Sequence, residues 1–540
     1  MKTLWILGDQ LNKELAGFKE IDPKKDIVLM IESKERSRLR RVHKQKVVLI
    51  FSAMRHFARD LIAEGYRVDY REAPSFTKGL EEHFNKYNST TCLVHEPTDY
   101  FISKLFDQKI NSIDKLTKDV LDKDFSSSSK IKFEENFSKM YDLIDFKLLS
   151  EEPLFLVPKK DWGNYLTKNE SWKQDKVYRR LRKEFNILMD GDRPLGCKWS
   201  YDTENRKPPK EGLHFEEAIK FIPDRITREV MAKIQEEYSD YFGETDSFSW
   251  PVTRKEALEA LNHFIDRRLK TYGDYQDAML TENPLMSHSL LSGAINIGLI
   301  TPKEVIDKAE SAYHQKKAPL PAVEGFIRQI LGWREYVRGV YLRSMPKYEK
   351  VNYFGHQRSL PEYFWTGKTD LHCVATAVME VKKSGYNHHI QRLMVLGNWA
   401  NLLRIRPQEV SEWFLEVYAD AYEWVVLPNV LGMALYADGG LMSTKPYVSS
   451  GKYIQRMSNY CDSCHYDIND KAGEKACPFH ALYWTFLEDH RGLLGSNPRM
   501  RLMYANWDRQ KEENRDALLK KGRELLKEAK AESPTSSYSG

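Results

Sequence analysis

The chain has 540 residues, 12% of them aromatic, and a formal net charge of only +5. The length predicts two to four domains with large apolar cores, and the small net charge gives no argument for a nucleic-acid partner by itself. No apolar run reaches the roughly 18 residues of a membrane span, and polar residues interrupt the opening MKTLWILGDQLN too early for a signal peptide. We therefore expect a cytoplasmic monomer with no membrane partner.

The first 150 residues alternate between short apolar runs and helix-like stretches such as Ser52–Glu64. This alternation predicts an α/β domain with a doubly wound parallel sheet. The runs expected to form strands are Leu4–Leu7, Ile27–Ile31, Val47–Phe51 and Cys92–Val94. The basic runs at residues 34–46 and 178–183 are typical of solvated helix faces.

A serine run at 126–129 and a polar stretch around 150–175 indicate a connector, which we place at residues 151–224. From about residue 225 onward helical periodicity dominates, so residues 225–530 are predicted to form a large all-α domain. Residues 531–540 have the composition of a disordered tail. The helical segments are predicted at Lys255–Tyr272, Val323–Arg343, Asp370–Lys383, His389–Arg404 and Val410–Tyr418.

Four of the six cysteines lie in the C-terminal half, at Cys373, Cys461, Cys464 and Cys477. The last three follow a C-x2-C-x12-C pattern, which is typical of metal binding when thiols stay reduced. Zinc takes four thiolates, and a histidine such as His465 could replace one of them. An iron–sulfur cluster takes four cysteines, one of them often distant in sequence. The spacing alone leaves both alternatives open.

Other polar residues stand out within the helical part. Ser287, Ser289 and Ser292 suit a helix N-terminus that receives phosphate groups, although plain capping serves equally. The adjacent pair His388–His389 fits either surface or buried hydrogen-bonding roles. Asp420 stands in an apolar and aromatic stretch and needs a partner, because a lone buried carboxylate is costly.

The chain resembles the photolyase/cryptochrome family over essentially its whole length, and within it the iron–sulfur bacterial cryptochromes and prokaryotic (6-4) photolyases. The motifs in order are LGDQL (7–11), FSAMRHFA (51–58), QDAML (276–280), AVEGFIRQILGWREY (322–336), FWTGKT (364–369), HHIQRLM (388–394), VYADAYEWV (417–425), ADGG (437–440), SGKYIQRMSNYCDSC (450–464) and ACPFHALYW (476–484). With the four cysteines in register, this resemblance favours a [4Fe-4S] cluster over zinc.

The resemblance implies that the helical domain binds FAD in a folded conformation. The residues it assigns to this cofactor are Ser287, Ser289, Ser292, Gln329, Arg334, Arg392 and Asp420, with the last two beside the isoalloxazine. A cation and a carboxylate there can tune the flavin. The resemblance places His388 and His389 on the side of the DNA lesion, where a histidine can donate a proton to a (6-4) photoproduct.

Asp202, Arg206 and Asp277 match family positions near the lesion-binding side. The carboxylates of Asp202 and Asp277 are hard oxygen donors that would suit Mg²⁺, and helix capping is the other interpretation. Trp365 and Trp413 match the electron-transfer tryptophans of the family, and Tyr422 matches a nearby tyrosine. Two residues depart from the related pattern, because Phe414 replaces a tyrosine and Val426 replaces a glutamate near the flavin.

The N-terminal domain in this branch carries an antenna, 6,7-dimethyl-8-ribityllumazine. Gly8, Asp9 and Gln10 follow the first strand, where α/β folds bind ligands. Glu35 and Ile50 fall near the matching antenna positions, Glu35 only with a length shift.

These implications predict a light-driven enzyme that repairs (6-4) photoproducts in UV-damaged DNA with reduced FAD. Two alternatives stay open. One is a bacterial cryptochrome that senses blue light without repair, which the Phe414 and Val426 departures favour. The other is an iron–sulfur nucleic-acid-binding module, which the flavin-pocket residues disfavour.

Overall fold

The computed structural model describes residues 1–109, 144–167, 172–210 and 212–531. The chain forms two compact units. The first comprises residues 1–161, 220–261 and 290–305, and the second comprises residues 162–219, 262–289 and those from 306 onward. The predicted serine connector at 126–129 and most of the predicted tail lie outside the described residues.

The first unit is built on a parallel sheet of five strands. The strands are β1 (Lys2–Ile6), β2 (Ile27–Ser33), β3 (Val68–Ala73), β4 (Thr91–His95) and β5 (Asp145–Leu149), in the spatial order β3-β2-β1-β4-β5. Every adjacent pair is parallel, and Leu4 in the central strand is aligned with Val28 and Leu93. The predicted doubly wound sheet is confirmed, with β1 at the point where the strand order reverses.

One predicted strand is wrong, because Val47–Phe51 lies inside the helix Lys44–Ala63. The run is buried and continuous, and a short apolar run does not distinguish a buried strand from a buried helix turn. Two strands were also missed. Val68–Ala73 contains Asp69, Arg71 and Glu72, and Asp145–Leu149 contains Asp145 and Lys147 and has no fully buried position, so neither has an apolar core pattern.

The helices that flank the sheet or follow it are short to medium in length, and many are joined end to end. In chain order the α-helices are Gly17–Glu20, Lys34–Arg38, Lys44–Ala63, Phe76–Tyr87, Tyr100–Lys109, Trp162–Tyr165, Gln174–Glu184, Arg225–Glu237, Arg254–His263, Leu269–Tyr275, Ser292–Asn296, Pro302–His314, Leu320–Ile327, Glu335–Ser344, Tyr363–Thr366, His372–Ser384, Asn398–Leu402, Pro407–Val417, Glu423–Leu427, Gly451–Met457, Pro478–Asp489, Arg491–Leu494, Arg501–Asp508 and Glu512–Ala531. The predicted predominance of helix after residue 225 is confirmed.

Among the described residues, four stretches have π-helical geometry, and each joins or extends α-helices. They are Phe264–Arg268, Arg328–Arg334, Gln391–Gly397 and Pro428–Ala434. π-Helical turns in proteins occur frequently at functional sites. Arg334 and Arg392, both assigned to the cofactor by resemblance, lie in two of these stretches.

Small residues allow close helix packing in the second unit. A Cβ at Gly273 would lie 2.6 Å from the Cα of Ala322, and one at Gly339 would lie 2.2 Å from the Trp162 ring. The first contact packs helix Leu269–Tyr275 on Leu320–Ile327 and thereby fixes Asp277, which follows it directly. None of the helices in the described ranges carries an apolar stretch of the length that a bilayer requires.

Candidate functional site

The four clustered cysteines line one cavity in the second unit. Cys373 lies in the first turn of helix His372–Ser384, and Cys477 immediately precedes helix Pro478–Asp489. Cys461 and Cys464 lie in the segment that follows helix Gly451–Met457. The remaining walls are mostly apolar and consist of Leu371, Gly451, Ile454, Tyr460, Tyr466, Ile468 and Phe479. Neither His465 nor His480 is among the described lining residues.

The raised pKa values of cysteines in this cavity indicate that their thiols interact electrostatically. Burial, followed by the charges of Cys477, Cys464 and Cys461, raises the pKa of Cys373 well above its usual value. Burial and neighbouring thiols also raise the pKa of Cys461 to about 11 and that of Cys477 to about 12. Four such thiolates in an apolar cavity would be stable only with a bound cationic centre.

Gly451 packs closely against the cavity wall. A Cβ at this position would lie 2.9 Å from Sγ of Cys477 and 2.5 Å from Cδ1 of Ile468, so a larger residue would push on both. In the described part of the chain, no three His, Cys, Asp or Glu side chains group around a position suited to a single metal ion. All four thiols line this one cavity.

A second centre is formed by Arg392 and Asp420. Their side chains make a bidentate ion pair, with Nη1–Oδ1 at 2.9 Å and Nη2–Oδ2 at 3.1 Å. The guanidinium also lies over the Tyr418 ring, 3.9 Å from its centroid, and Nε donates to the Asn387 carbonyl at 2.8 Å. Burial alone would lower the pKa of Arg392, but the charge of Asp420 and other neighbours raise it above its usual value. Asp420 therefore has the partner that the sequence required.

The two predicted histidines differ in their surroundings. His388 is buried, and neither of its ring nitrogens has a hydrogen-bond partner in the described residues. His389 is exposed to solvent, yet burial and then Arg392 lower its pKa to about 4. The ring has a solvent-exposed part, and Arg392 is the neighbouring charge that disfavours its protonation. His389 is therefore a neutral imidazole at pH 7 in the ligand-free chain.

Other residues assigned to the cofactor make internal contacts. Arg334 is stacked on Trp424, with its Cζ 5.0 Å from the ring centroid, and burial lowers its pKa to about 10. Gln329 donates to the Gly325 carbonyl at 2.9 Å, and the buried Ser287 hydroxyl is 2.7 Å from that of Thr271. Ser289 lies in the second unit, and Ser292 begins a five-residue helix in the first.

Asp202 is engaged by arginines. Arg328 donates to its Oδ1 at 3.1 Å, and Arg206 donates to its Oδ2. Asp277 is half-buried, and burial raises its pKa while Arg206, Arg328 and Arg456 oppose the shift. The electrostatic environment is therefore basic, and both oxygens of Asp202 already accept hydrogen bonds. This environment suits an anion better than a divalent cation.

Two of the three predicted electron-transfer residues form a pair. The Trp365 and Trp413 rings are 6.5 Å apart between centroids, and Trp413 lies 6.0 Å from Tyr418. Because Tyr418 packs under Arg392, the aromatic contacts run from the half-exposed Trp365 to the Arg392–Asp420 pair. Tyr422, the predicted tyrosine, precedes helix Glu423–Leu427. Phe414 contacts both Trp413 and Tyr418 at 5.3 Å, and Val426 is buried.

In the first unit, the residues assigned to the antenna partly converge. A Cβ at Gly8 would lie 2.8 Å from Cγ2 of Ile50, so these two positions are in contact. Asp9 accepts a hydrogen bond from Thr98 at 2.7 Å, and burial raises its pKa. Gln10 is fully buried and donates to the carbonyls of His95 and Glu96. Its amide therefore links the loops after β1 and β4.

Glu35 lies in the first turn of helix Lys34–Arg38, where its backbone N–H donates to the Pro74 carbonyl at 2.9 Å. The structure gives it no described contact with Gly8 or Ile50. Residues that sequence reasoning missed include Tyr418, His288 and Glu380. Tyr418 falls within the motif VYADAYEWV, and its helical spacing of four from Phe414 was the signal available for it.

Comparisons with known proteins agree with this architecture. The chain is 41% identical to a (6-4) photolyase of Agrobacterium fabrum over 528 residues, which is 97% of this chain and 98% of that protein. An uncharacterized protein of Acanthamoeba polyphaga mimivirus is 33% identical over 118 residues, 22% of this chain and 87% of that protein. The model of deoxyribodipyrimidine photo-lyase-related proteins matches residues 4–143 and 125–250.

The fold also resembles the crystal structure of a bacterial class III photolyase from Agrobacterium tumefaciens. The TM-score is 0.54 at 15% identity, and the likeness covers 98% of this chain and 97% of that one.

Proposed function

Because this chain belongs to the photolyase family, we propose that it is a light-driven enzyme that repairs (6-4) photoproducts in UV-damaged DNA. The observation that supports this most is the near-complete match, in length and at 41% identity, to a protein named (6-4) photolyase. His389, which interacts electrostatically with Arg392, supplies a candidate proton donor for such repair. The DNA base must leave the duplex to reach an enclosed site, which costs less for a damaged pair.

We infer that FAD is held in the second unit by Arg334, Gln329, Arg392 and Asp420, with Ser287 and Ser289 of the same unit assigned to it by resemblance. Reduced FAD, when bound and excited by light, supplies the electron for repair. Arg392 places a fixed positive charge in the site, and Asp420 holds the guanidinium in one orientation by two hydrogen bonds. That positive charge favours a negatively charged cofactor or substrate group next to it.

We propose that His389 donates the proton to the lesion. The imidazole is neutral at pH 7 in the ligand-free chain, because burial and Arg392 disfavour its charged form. The negative charge of a DNA segment bound next to the ring would favour its protonated form and raise the pKa. Proton transfer is then coupled to the arrival of substrate, as general acid catalysis requires.

We propose that the exposed Arg206 and Arg456 meet phosphates of the bound DNA, while the buried Arg328 holds Asp202. Their charges already act together on Asp277, and neutralising phosphates is the main source of affinity for nucleic acid. Mg²⁺ fits these residues poorly, because both oxygens of Asp202 accept from guanidinium groups. A cation at Asp277 would face the same three arginines.

We propose that the four cysteines hold a [4Fe-4S] cluster. The cavity lined by all four cysteines, with otherwise mostly apolar walls, supports this assignment. The cluster would link helix His372–Ser384 to the chain nearly 90 residues later. We also propose that Gly8, Asp9 and Ile50, at the carboxyl end of the central strand, take the lumazine antenna.

The test is illumination of reduced protein with an oligonucleotide that contains one (6-4) photoproduct, with a cyclobutane dimer as the control. Selective restoration of the (6-4) site supports the proposal, and no repair of either lesion rejects it. The second candidate is a blue-light sensor, which the buried Val426 and Phe414 favour because neither can lose a proton near the flavin. It predicts bound FAD without repair. Purified protein without flavin absorption near ~450 nm would contradict both.

A further inference from the structure

Glu380 lies between the cysteine cavity and the Arg392–Asp420 pair. It lies in helix His372–Ser384, seven residues after Cys373, so the two side chains share one helix face. Its Oε2 accepts hydrogen bonds from Nδ2 of Asn387 at 3.2 Å and from Nε2 of Gln391. Its Oε1 is buried and has no hydrogen-bond partner in the described ranges.

Asn387 links Glu380 to the predicted flavin site through two further hydrogen bonds. Its Oδ1 accepts from the Tyr418 hydroxyl at 2.8 Å, and its carbonyl accepts from Nε of Arg392 at 2.8 Å. Tyr418 is also the ring on which the Arg392 guanidinium is stacked. Asn387 therefore holds both the cation of the Arg392–Asp420 pair and the aromatic ring beneath it.

Gln391 links Glu380 to the cysteine cavity and to the histidine segment. Its Nε2 donates to the Tyr460 hydroxyl at 2.9 Å, and Tyr460 lines the cysteine cavity. Its Oε1 accepts from the backbone N–H of His388 at 3.1 Å. One carboxyl group thus holds the two amides that orient the histidine segment, the Arg392–Asp420 pair and one wall of the cavity.

No Lys or Arg pairs with Glu380 in the described chain. The elements packed on its helix are Tyr363–Thr366 and Gln391–Gly397, and the charged residue of the second, Arg392, is paired with Asp420. The titratable groups that interact with Glu380 are the hydroxyls of Tyr418 and Tyr460, whose own pKa values are raised mainly by burial. An unpaired carboxylate is costly in such a place.

The charge state follows from these surroundings. Burial raises the pKa of Glu380 to about 8, although the hydrogen bonds from Gln391 and Asn387 oppose the shift. At neutral pH the group is thus mostly a neutral carboxylic acid, and it ionises as the pH rises through about 8.

We propose that Glu380 is a positioning residue of the flavin site, which holds Asn387 and Gln391 by hydrogen bonds and through them the Arg392–Asp420 pair. The inference rests on the proposed function, since it concerns residues assigned to FAD. FAD brings a negatively charged diphosphate and excludes water, so it binds better when Glu380 is neutral. By linkage, FAD affinity falls as Glu380 ionises.

The experiment compares wild type with Glu380→Gln and Glu380→Ala, and uses Glu513→Gln, an exposed carboxyl in the C-terminal helix, as a matched control. FAD dissociation and the flavin absorption spectrum are measured between pH 6 and pH 10. In wild type and in Glu513→Gln, we expect the dissociation constant to rise about tenfold across a transition near pH 8, the scale of one hydrogen bond. Glu380→Gln, a permanently neutral analogue, should bind as wild type does at pH 6 throughout.

Glu380→Ala should bind FAD about tenfold more weakly at every pH and show no transition. Infrared difference spectra should show the carbonyl band of a protonated carboxylic acid in wild type at pH 7, and this band should be absent from Glu380→Gln. If Glu380→Gln keeps the transition near pH 8, or if wild type lacks the acid band, the inference is wrong. If Glu380→Ala does not fold, the pH dependence of FAD binding by Glu380→Gln and the infrared band of wild type still test the inference. Wild type that binds no FAD would instead reject the proposed function.

Discussion

The imidazole rings of His288 and His388 are stacked, with centroids 4.5 Å apart and an interplanar angle of 9°. Burial and then Arg268 lower the pKa of His288 to about 3, and burial, His288 and His389 lower that of His388 well below its usual value, with Arg392 adding to both shifts. Two stacked cations beside a guanidinium would be strongly unfavourable. His388 therefore stays neutral, and His389, which faces solvent, is the residue of the pair that can carry the proton.

Replacing His389 with Ala should abolish repair while FAD stays bound, because the proton donor is lost and no described hydrogen bond of its ring is broken. Repair of a (6-4) oligonucleotide and the flavin absorption of the purified variant measure the two effects. The exposed His314→Ala serves as the control and should repair at the parental rate. Unchanged repair by the His389 variant would remove this residue from the proton-transfer role.

Replacing any one of Cys373, Cys461, Cys464 or Cys477 with Ser should remove most of the bound iron and sharply lower the yield of folded protein. Metal binding contributes to folding free energy where the ligands come from distant segments. Cys197→Ser is the matched control, since Cys197 is exposed and lies outside the cavity. Iron and zinc are measured by elemental analysis after anaerobic purification. One zinc per chain without iron would contradict the cluster.

Replacing Trp413 or Trp365 with Phe should slow photoreduction of the flavin under blue light, because Phe is much harder to oxidise than Trp. Trp413→Phe also loses the hydrogen bond from Nε1 to the Phe364 carbonyl, at a cost of about 1 kcal/mol in stability. Dithionite-reduced variants should still repair, because chemical reduction bypasses the aromatic residues. Parental photoreduction kinetics in both variants would show that electrons enter elsewhere.

The same photoreduction measurement can distinguish the roles of Tyr418 and Tyr422 in electron transfer. Tyr418 is in ring contact with Trp413 and lies under Arg392, whereas Tyr422 is the position that the family resemblance indicates. We expect Tyr418→Phe to slow photoreduction more than Tyr422→Phe does. The reverse order would support the position from the resemblance over the one from the contacts.

Acid should destabilise the protein through its buried histidines. His356 is only 4% exposed, and burial followed by His490 and two arginines lowers its pKa to about 3. The unfolded chain binds the proton near pH 6.5 and the folded chain does not, so stability falls as the pH drops below 6.5. Between pH 7 and pH 5 the loss from this one residue is about 2 kcal/mol.

The measurement is urea unfolding at pH 7 and pH 5 for wild type and His356→Phe. The Phe ring can keep the stacking of His356 on Phe354, whose centroids are 5.4 Å apart, and cannot be protonated. The variant should therefore lose less stability on acidification than wild type. An equal loss in both would mean that His356 is not protonated on unfolding in this range.

The sequence predicted those features of the molecule that depend on the spacing of nearby residues. The strands around Leu4 and Ile27, the helical second half and the cysteine set follow from apolar periodicity and ligand spacing. Val47–Phe51 was wrong because a buried helix turn and a buried strand have the same apolar run. The roles of Tyr418, Glu380 and His288 could not be read from the sequence, because each depends on partners 7 to 100 residues away that only the fold brings near.

The four π-helical stretches limit where residues can be inserted into this chain or deleted from it. A π turn contains an extra residue relative to an α turn. Deleting one residue within Gln391–Gly397 would restore the α period and rotate the helix on one side by about 100° relative to the other. Arg392 and Asn398 could then no longer both face their present partners, Asp420 and Ser449. Insertions and deletions should therefore be tolerated in the connections between helices and excluded from these four stretches.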